Sequence, residues 1–158
     1  MDIIDVHNVA AVGVTKRLSV HATATAASTG DATSVTGITI DRAGFSNGGR
    51  PRSALMSVLY DATLASGKTL SLGYAVQDSE DGTNWSDYLT ATYATVATGA
   101  SGGSNAKGAF NIPVDLGSAR RYVRLNFNPD LNASGTDTAY AQAAGFFAGF
   151  DRLPAPAA

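Results

Sequence analysis

The chain of 158 residues contains no cysteine, so neither a disulfide framework nor a thiolate zinc site can hold it together. Glutamate occurs once and lysine three times, which removes the residues most used on the surfaces of helices. No segment shows convincing helical periodicity, so a helical bundle is excluded. Charged residues make up 15% of the chain, well below the usual quarter or so. Thirteen acids against eleven bases leave a net charge of −2, which supplies no electrostatic reason to expect nucleic acid as a partner. Apolar runs of membrane-spanning length are missing, so no membrane partner is expected.

Small residues are abundant: 28 Ala, 17 Gly, 16 Thr and 14 Ser account for 75 of the 158 positions. The dominant pattern is period-two alternation, the mark of half-buried strands. Leu18, Val20, Ala22 and Ala24 alternate with Ser19, His21, Thr23 and Thr25, and Val35 to Ile40 forms a short second run. Ala54 to Tyr60 is apolar at both parities apart from Ser57 and reads as a buried central strand. Leu70, Leu72, Tyr74 and Val76 give the clearest alternation; Trp85 to Val96 follows, longer and more polar. Phe110, Ile112, Val114 and Leu116 alternate around Pro113, which suggests an edge strand or a bulge. Tyr122 to Phe127 alternates again, and Ala139 to Phe150 is a last strand that closes the core.

Turn residues separate these runs, notably Asn47-Gly48-Gly49, Ser66-Gly67-Lys68, Asp81-Gly82, a long Gly99 to Gly108 loop and Asn132 to Gly135. About eight antiparallel strands at this spacing predict a single-domain, all-β, jelly-roll-like sandwich over residues 18–154. Residues 1–17 carry only a weak apolar pattern (Ile3, Val6, Val9, Val12) without turn residues and read as an extended arm that orders against a partner. Residues 155–158 end a Pro/Ala tail. Met1-Asp2-Ile3-Ile4-Asp5 is acidic where a secretory signal would be basic, so the expectation is a protein made in a cytoplasm.

Little in the sequence suggests catalysis. Gly67-Lys68-Thr69 resembles the end of a phosphate-binding loop, but Ala62 stands where its first glycine is needed and a strand pattern, not a helix, follows. Asp78-Ser79-Glu80-Asp81-Gly82-Thr83-Asn84 has oxygen donors at alternate positions, yet Leu89 occupies the closing position of a calcium loop, and Asp-Gly between strands is a hairpin signal. The two histidines, His7 and His21, have no nearby motif partner. A pair of carboxylates working on a glycosidic bond would be set by spatial separation and rests on the twelve Asp alone. The expectation is a protein that is not an enzyme, with no metal and no cofactor. Asn84-Trp85-Ser86 and Asn132-Ala133-Ser134 match the glycosylation sequon but carry no weight without a secretory route.

Recognition is expected in the segment 42–52, which places Arg42, Arg50 and Arg52 with Phe45 on a Gly/Asn-rich loop between strands. Arginine and aromatic residues are over-used at protein interfaces, and loops on rigid scaffolds carry function.

Three stretches taken in order resemble the capsid cement (decoration) proteins of tailed bacteriophages. They are Ala75-Val76-Gln77-Asp78-Ser79-Glu80-Asp81-Gly82-Thr83-Asn84-Trp85, Ala119-Arg120-Arg121-Tyr122-Val123-Arg124-Leu125, and Ala148-Gly149-Phe150-Asp151-Arg152-Leu153-Pro154. The resemblance implies a jelly-roll-like domain on the outside of an icosahedral shell, clamping neighbouring subunits of the major capsid protein. A virion location, a dimeric or trimeric homo-oligomer at local symmetry axes and an absence of catalytic residues come with it. The Arg121-Tyr122-Val123-Arg124-Leu125 strand also resembles discoidin-type jelly-roll modules, which bind sugars or lipid head groups. In that reading Trp85, Tyr88 or Tyr93 would be a stacking platform for a glycan.

Overall fold

A computed structural model of the chain describes residues 13–45, 49–133 and 135–150. The strands are β1 (Val14–Arg17), β2 (Ala22–Thr25), β3 (Ile40–Asp41), β4 (Pro51–Leu64), β5 (Thr69–Ser79), β6 (Ser86–Thr98), β7 (Ser104–Asp115), β8 (Tyr122–Leu131) and β9 (Thr138–Phe150). Sheet A has the order β1–β9–β4–β7, with β2 also on β9, and sheet B the order β3–β8–β5–β6. All of these pairs are antiparallel. With β1 and β2 taken as one interrupted strand, this is the eight-strand connectivity of a jelly roll.

The interruption has a local cause. Arg17 faces Ala144 and Ala22 faces Ala141, so four residues on one strand oppose two on the other. In this bulge Leu18 and Ser19 both donate to the carbonyl of Ala143, and the Ser19 hydroxyl accepts from the Ala143 N–H. The bulge turns Leu18 fully into the core. Gly145 leaves the room, since a Cβ there would lie 2.8 Å from Leu18 Cδ1.

Val14–Arg17 therefore belong to sheet A rather than to a free arm, while residues 1–12 of the expected arm, 151–154 of the expected domain, the 155–158 tail, and Asn47 and Gly48 lie outside the described residues. The run from Val35 to Ile40 does not form one strand. Val35 bridges Phe127, the Gly37 N–H bonds the Asn126 side chain and Ile38 donates to Leu18, so its backbone serves different partners instead of one ladder. The Gly99 loop is also shorter than expected, because β7 begins at Ser104. Pro113 sits on β7, the edge of sheet A, where its missing N–H costs no ladder bond.

The core lies between the sheets, where Met56, Val58, Ile112 and Phe147 of sheet A meet Leu72, Val76, Leu125 and Phe127 of sheet B. Along one side, tyrosines stitch the sheets: the Tyr60 hydroxyl donates to Val96 O at 2.8 Å and the Tyr88 hydroxyl to Asp115 O at 2.6 Å. At one end, Arg42 closes the sandwich. It is 3% exposed, and its guanidinium donates to the carbonyls of Ala119, Arg120 (3.0 Å), Pro51 (2.8 Å) and Leu116 (2.6 Å). This ties the start of β4 to the β7–β8 loop. Phe45, 7% exposed, packs on Phe147 and Phe150.

Replacing Arg42 by Met would remove the donor that these carbonyls share. Leaving a buried acceptor without its partner costs about 1–3 kcal/mol. Urea unfolding of Arg42→Met should show a fall of that size with an unchanged slope; a change under about 0.5 kcal/mol, as for an ordinary surface site, would contradict the role.

Candidate functional site

The segment expected to carry recognition is split by the fold. Arg42 and Phe45 are interior residues, and the expectation that they stand on a surface loop is corrected: the Arg42 guanidinium bonds buried carbonyls and Phe45 packs on Phe147 and Phe150. Arg50 and Arg52 are exposed at the start of β4.

From there β4 runs through the middle of sheet A. Ala54, Met56 and Val58 face the core, but Leu55 and Leu59, on the other parity, are 43% and 48% exposed. The expectation that this strand is buried on both faces is thus corrected: among the described residues sheet A is covered on its inner face only. Pairing sets Leu55 beside Phe146 and Leu59 beside Gln142, with Tyr140, 47% exposed, two residues further along β9. Two shallow depressions of about 220 Å³ each adjoin at Leu59, one against Ala144 and Phe146, the other against Tyr140 and His21. The His21 and Tyr140 rings stack there with centroids 5.5 Å apart. Arg17, which faces Ala144 across the β1–β9 pairing, is exposed beside this stripe, whereas the Lys16 ammonium lies over the Phe45 ring, 5.3 Å from its centroid.

Sheet B presents the opposite chemistry. Across its outer face the Gln77 amide donates to Asp87 at 2.7 Å and accepts from Arg124 and Asn126, each at 2.9 Å. Asn126 in turn accepts from the Gly37 N–H, and Asn128 donates to the Tyr93 hydroxyl. A cavity of about 400 Å³ lies over these groups, floored by Gly73 and Ala75. The β5–β6 register shifts between Leu72 and Tyr74, so the edge strand bulges where Gly73 has no side chain. Of the aromatic residues singled out from sequence, Tyr93 alone lines this cavity and is 45% exposed. Trp85 has the Arg124 guanidinium over its ring at 4.1 Å, and the Tyr88 hydroxyl is bonded to Asp115 and Ser118.

The loop read against calcium is a self-satisfied turn. The Asp81 carboxylate accepts from the Ser79 hydroxyl, the Thr83 and Asn84 N–H groups and the Asn84 amide. These bonds, those from the Asn84 and Thr83 backbone foremost, hold its pKa well below the ordinary 3.8. The Arg121 guanidinium, bonded to both oxygens of Asp41 at 3.1 and 2.9 Å, likewise lowers Asp41. Among the described residues no group of His, Asp and Glu gathers that could hold a metal ion, and no helix is long and apolar enough to cross a membrane.

No protein-family model matches the chain, and no curated protein does. Among solved structures it is similar to dimeric latent PorU from Porphyromonas gingivalis, at 11% identity and a TM-score of 0.49 over 89% of this chain and 13% of that one. It is also similar to the infectious bursal disease virus Gx strain structure (12% identity, TM-score 0.42, covering 90% and 34%) and to the VP2 subviral particle of infectious bursal disease virus (12%, 0.43, covering 86% and 32%). The chain thus spans 13 to 34% of the length of these structures.

The lowered carboxylates make a pH prediction. A carboxyl whose folded pKa lies below its unfolded value stabilises the fold above the unfolded value, here 3.8, and loses that contribution as pH falls through the lowered folded value. Unfolding free energy should therefore drop on acidification below 3.8, and the drop should shrink in Asp81→Asn. An acid profile identical in the variant would contradict it.

Proposed function

We propose that the protein is a virion structural component that binds the outer surface of a phage capsid and bridges subunits of the major capsid protein. The carrying observation is the outer face of sheet A, where Leu55, Leu59 and Tyr140 stand exposed on a rigid central part of the sheet beside exposed basic groups. Apolar stripes of this kind on a soluble fold mark interaction surfaces. An acidic shell surface with apolar contacts would complement both the stripe and the exposed Arg50 and Arg52 at the start of β4. The sequence resemblance to decoration proteins supplies the identity of that shell; the jelly-roll fold alone would suit lectins equally well.

Binding of this kind stabilises by linkage, because a ligand of the assembled shell that ignores free subunits opposes disassembly. Repetition of one site over a shell adds multivalent holding, so modest affinity per contact suffices if the protein is itself a dimer or trimer. Its low charge and its many Ser, Thr and Ala suit a flat interface of backbone and hydroxyl contacts.

The purified chain added to capsids lacking it should bind and raise their rupture temperature. The pair Leu55→Ser with Leu59→Ser, through lost apolar burial, and the pair Arg50→Ala with Arg52→Ala, through lost charged hydrogen bonds, should each weaken binding by about a decade or more. Circular dichroism should show the β fold retained. If the wild-type protein neither binds nor shifts the rupture temperature, the capsid assignment is wrong. If only the arginine pair is silent, docking rests on the apolar stripe alone.

A further inference from the structure

The cavity on the outer face of sheet B lies on the other side of the sandwich from the stripe just described and has a chemistry of its own. Its floor is main chain and small side chains: Gly73 and Ala75 keep it low, and a Cβ on Gly73 would lie 2.6 Å from Asn128 Oδ1. One wall is the Tyr93 ring. Asn126 and Asn128 form the other, and Gln77 with Asp87 closes one end. These polar groups are held before any ligand arrives, since Gln77 is fixed by three neighbours and Asn126 by the Gly37 N–H. Preorganised groups lose little entropy on binding.

The charges limit what can bind. Arg124, which bonds the lining residue Gln77 through its Nε, has its guanidinium over the Trp85 ring. Among the described residues no lysine or arginine lines the cavity, and Asp87 is the one carboxylate that does. A phosphate or other anion would meet no cation among these lining residues and would be opposed by the Asp87 carboxylate. The remaining capacity is that of amide groups, a carboxylate oxygen, the hydroxyls of Ser34 and Thr92, and one exposed aromatic face. Hydroxyl groups that both donate and accept, arrayed on a ring with apolar C–H faces, match this set. We propose that this cavity binds a neutral sugar, a hexose or N-acetylhexosamine unit of a glycan, with Tyr93 as the stacking platform and Asp87, Gln77, Asn126 and Asn128 reading its hydroxyls. Its size of about 400 Å³ suits one or two sugar rings. The site does not depend on the capsid reading, and either can stand without the other.

The test is an array of neutral oligosaccharides built from glucose, galactose, mannose and N-acetylglucosamine, with sulfated and sialylated glycans beside them, probed with the full chain. The tightest neutral oligosaccharide is then titrated by calorimetry. Binding to at least one neutral glycan is expected, weakened about tenfold in Tyr93→Ala and in Asp87→Ala. Tyr93→Phe should keep most of the affinity, and Leu59→Ser on the far face all of it. Asp87 is exposed on an edge strand, so that variant reports on the site even if Tyr93→Ala fails to fold. No binding to any neutral glycan would overturn the proposal. So would binding confined to the anionic glycans, or wild-type affinity in Asp87→Ala and Tyr93→Ala together.

Discussion

The register of β4 between β9 and β7 is the constraint on which the rest of the molecule depends. β4 keeps an unbroken antiparallel register with β7 from Ser53 to Leu64 and with β9 from Ser53 to Thr63. Side chains alternate with period two, so this register alone decides that Met56 and Val58 enter the core while Leu55 and Leu59 stand in water. A slip by one residue would bury the leucines of the outer face and expose the core. Because the inner face is packed against sheet B, that exchange is heavily opposed, and the outer stripe is as well specified as the core itself.

The two faces are built on different terms. Sheet A is regular through its centre and presents a broad, shallow, apolar surface suited to another large surface. Sheet B has three register shifts between β5 and β6, one of them at Gly73 on the floor of the cavity. One sandwich can therefore offer a docking face and a small-ligand groove without either disturbing the other. Arg42 and the Tyr60 and Tyr88 hydroxyls hold the two sheets in place at an end and along a side.

Much of the fold was legible because alternation reports local geometry. The runs at Leu70 to Val76 and Tyr122 to Phe127, and the proline on an edge strand, correspond to β5, β8 and β7. Arg42 and Phe45 were misread because an arginine and a phenylalanine in a Gly/Asn-rich segment look like a surface loop. Only the topology brings the carbonyls of Leu116, Ala119 and Arg120 around that guanidinium. Apolar residues at both parities of β4 were taken for burial on both faces, although the same pattern fits a strand whose second face awaits a partner. The groove on sheet B had a weaker trace: Gln77, Asn126 and Asn128 are polar members of alternating strands, and nothing in one sequence tells that they line up across β5 and β8.

The most direct test of the central claim is a cryo-electron microscopy map of capsids decorated with the purified chain, at a resolution that distinguishes the two sheets. The account predicts that the outer face of sheet A, with Leu55 and Leu59, lies against the shell and that the sheet B groove faces outward. A decorated particle in which sheet B contacts the shell, with the β4 leucines turned to solvent, would contradict it.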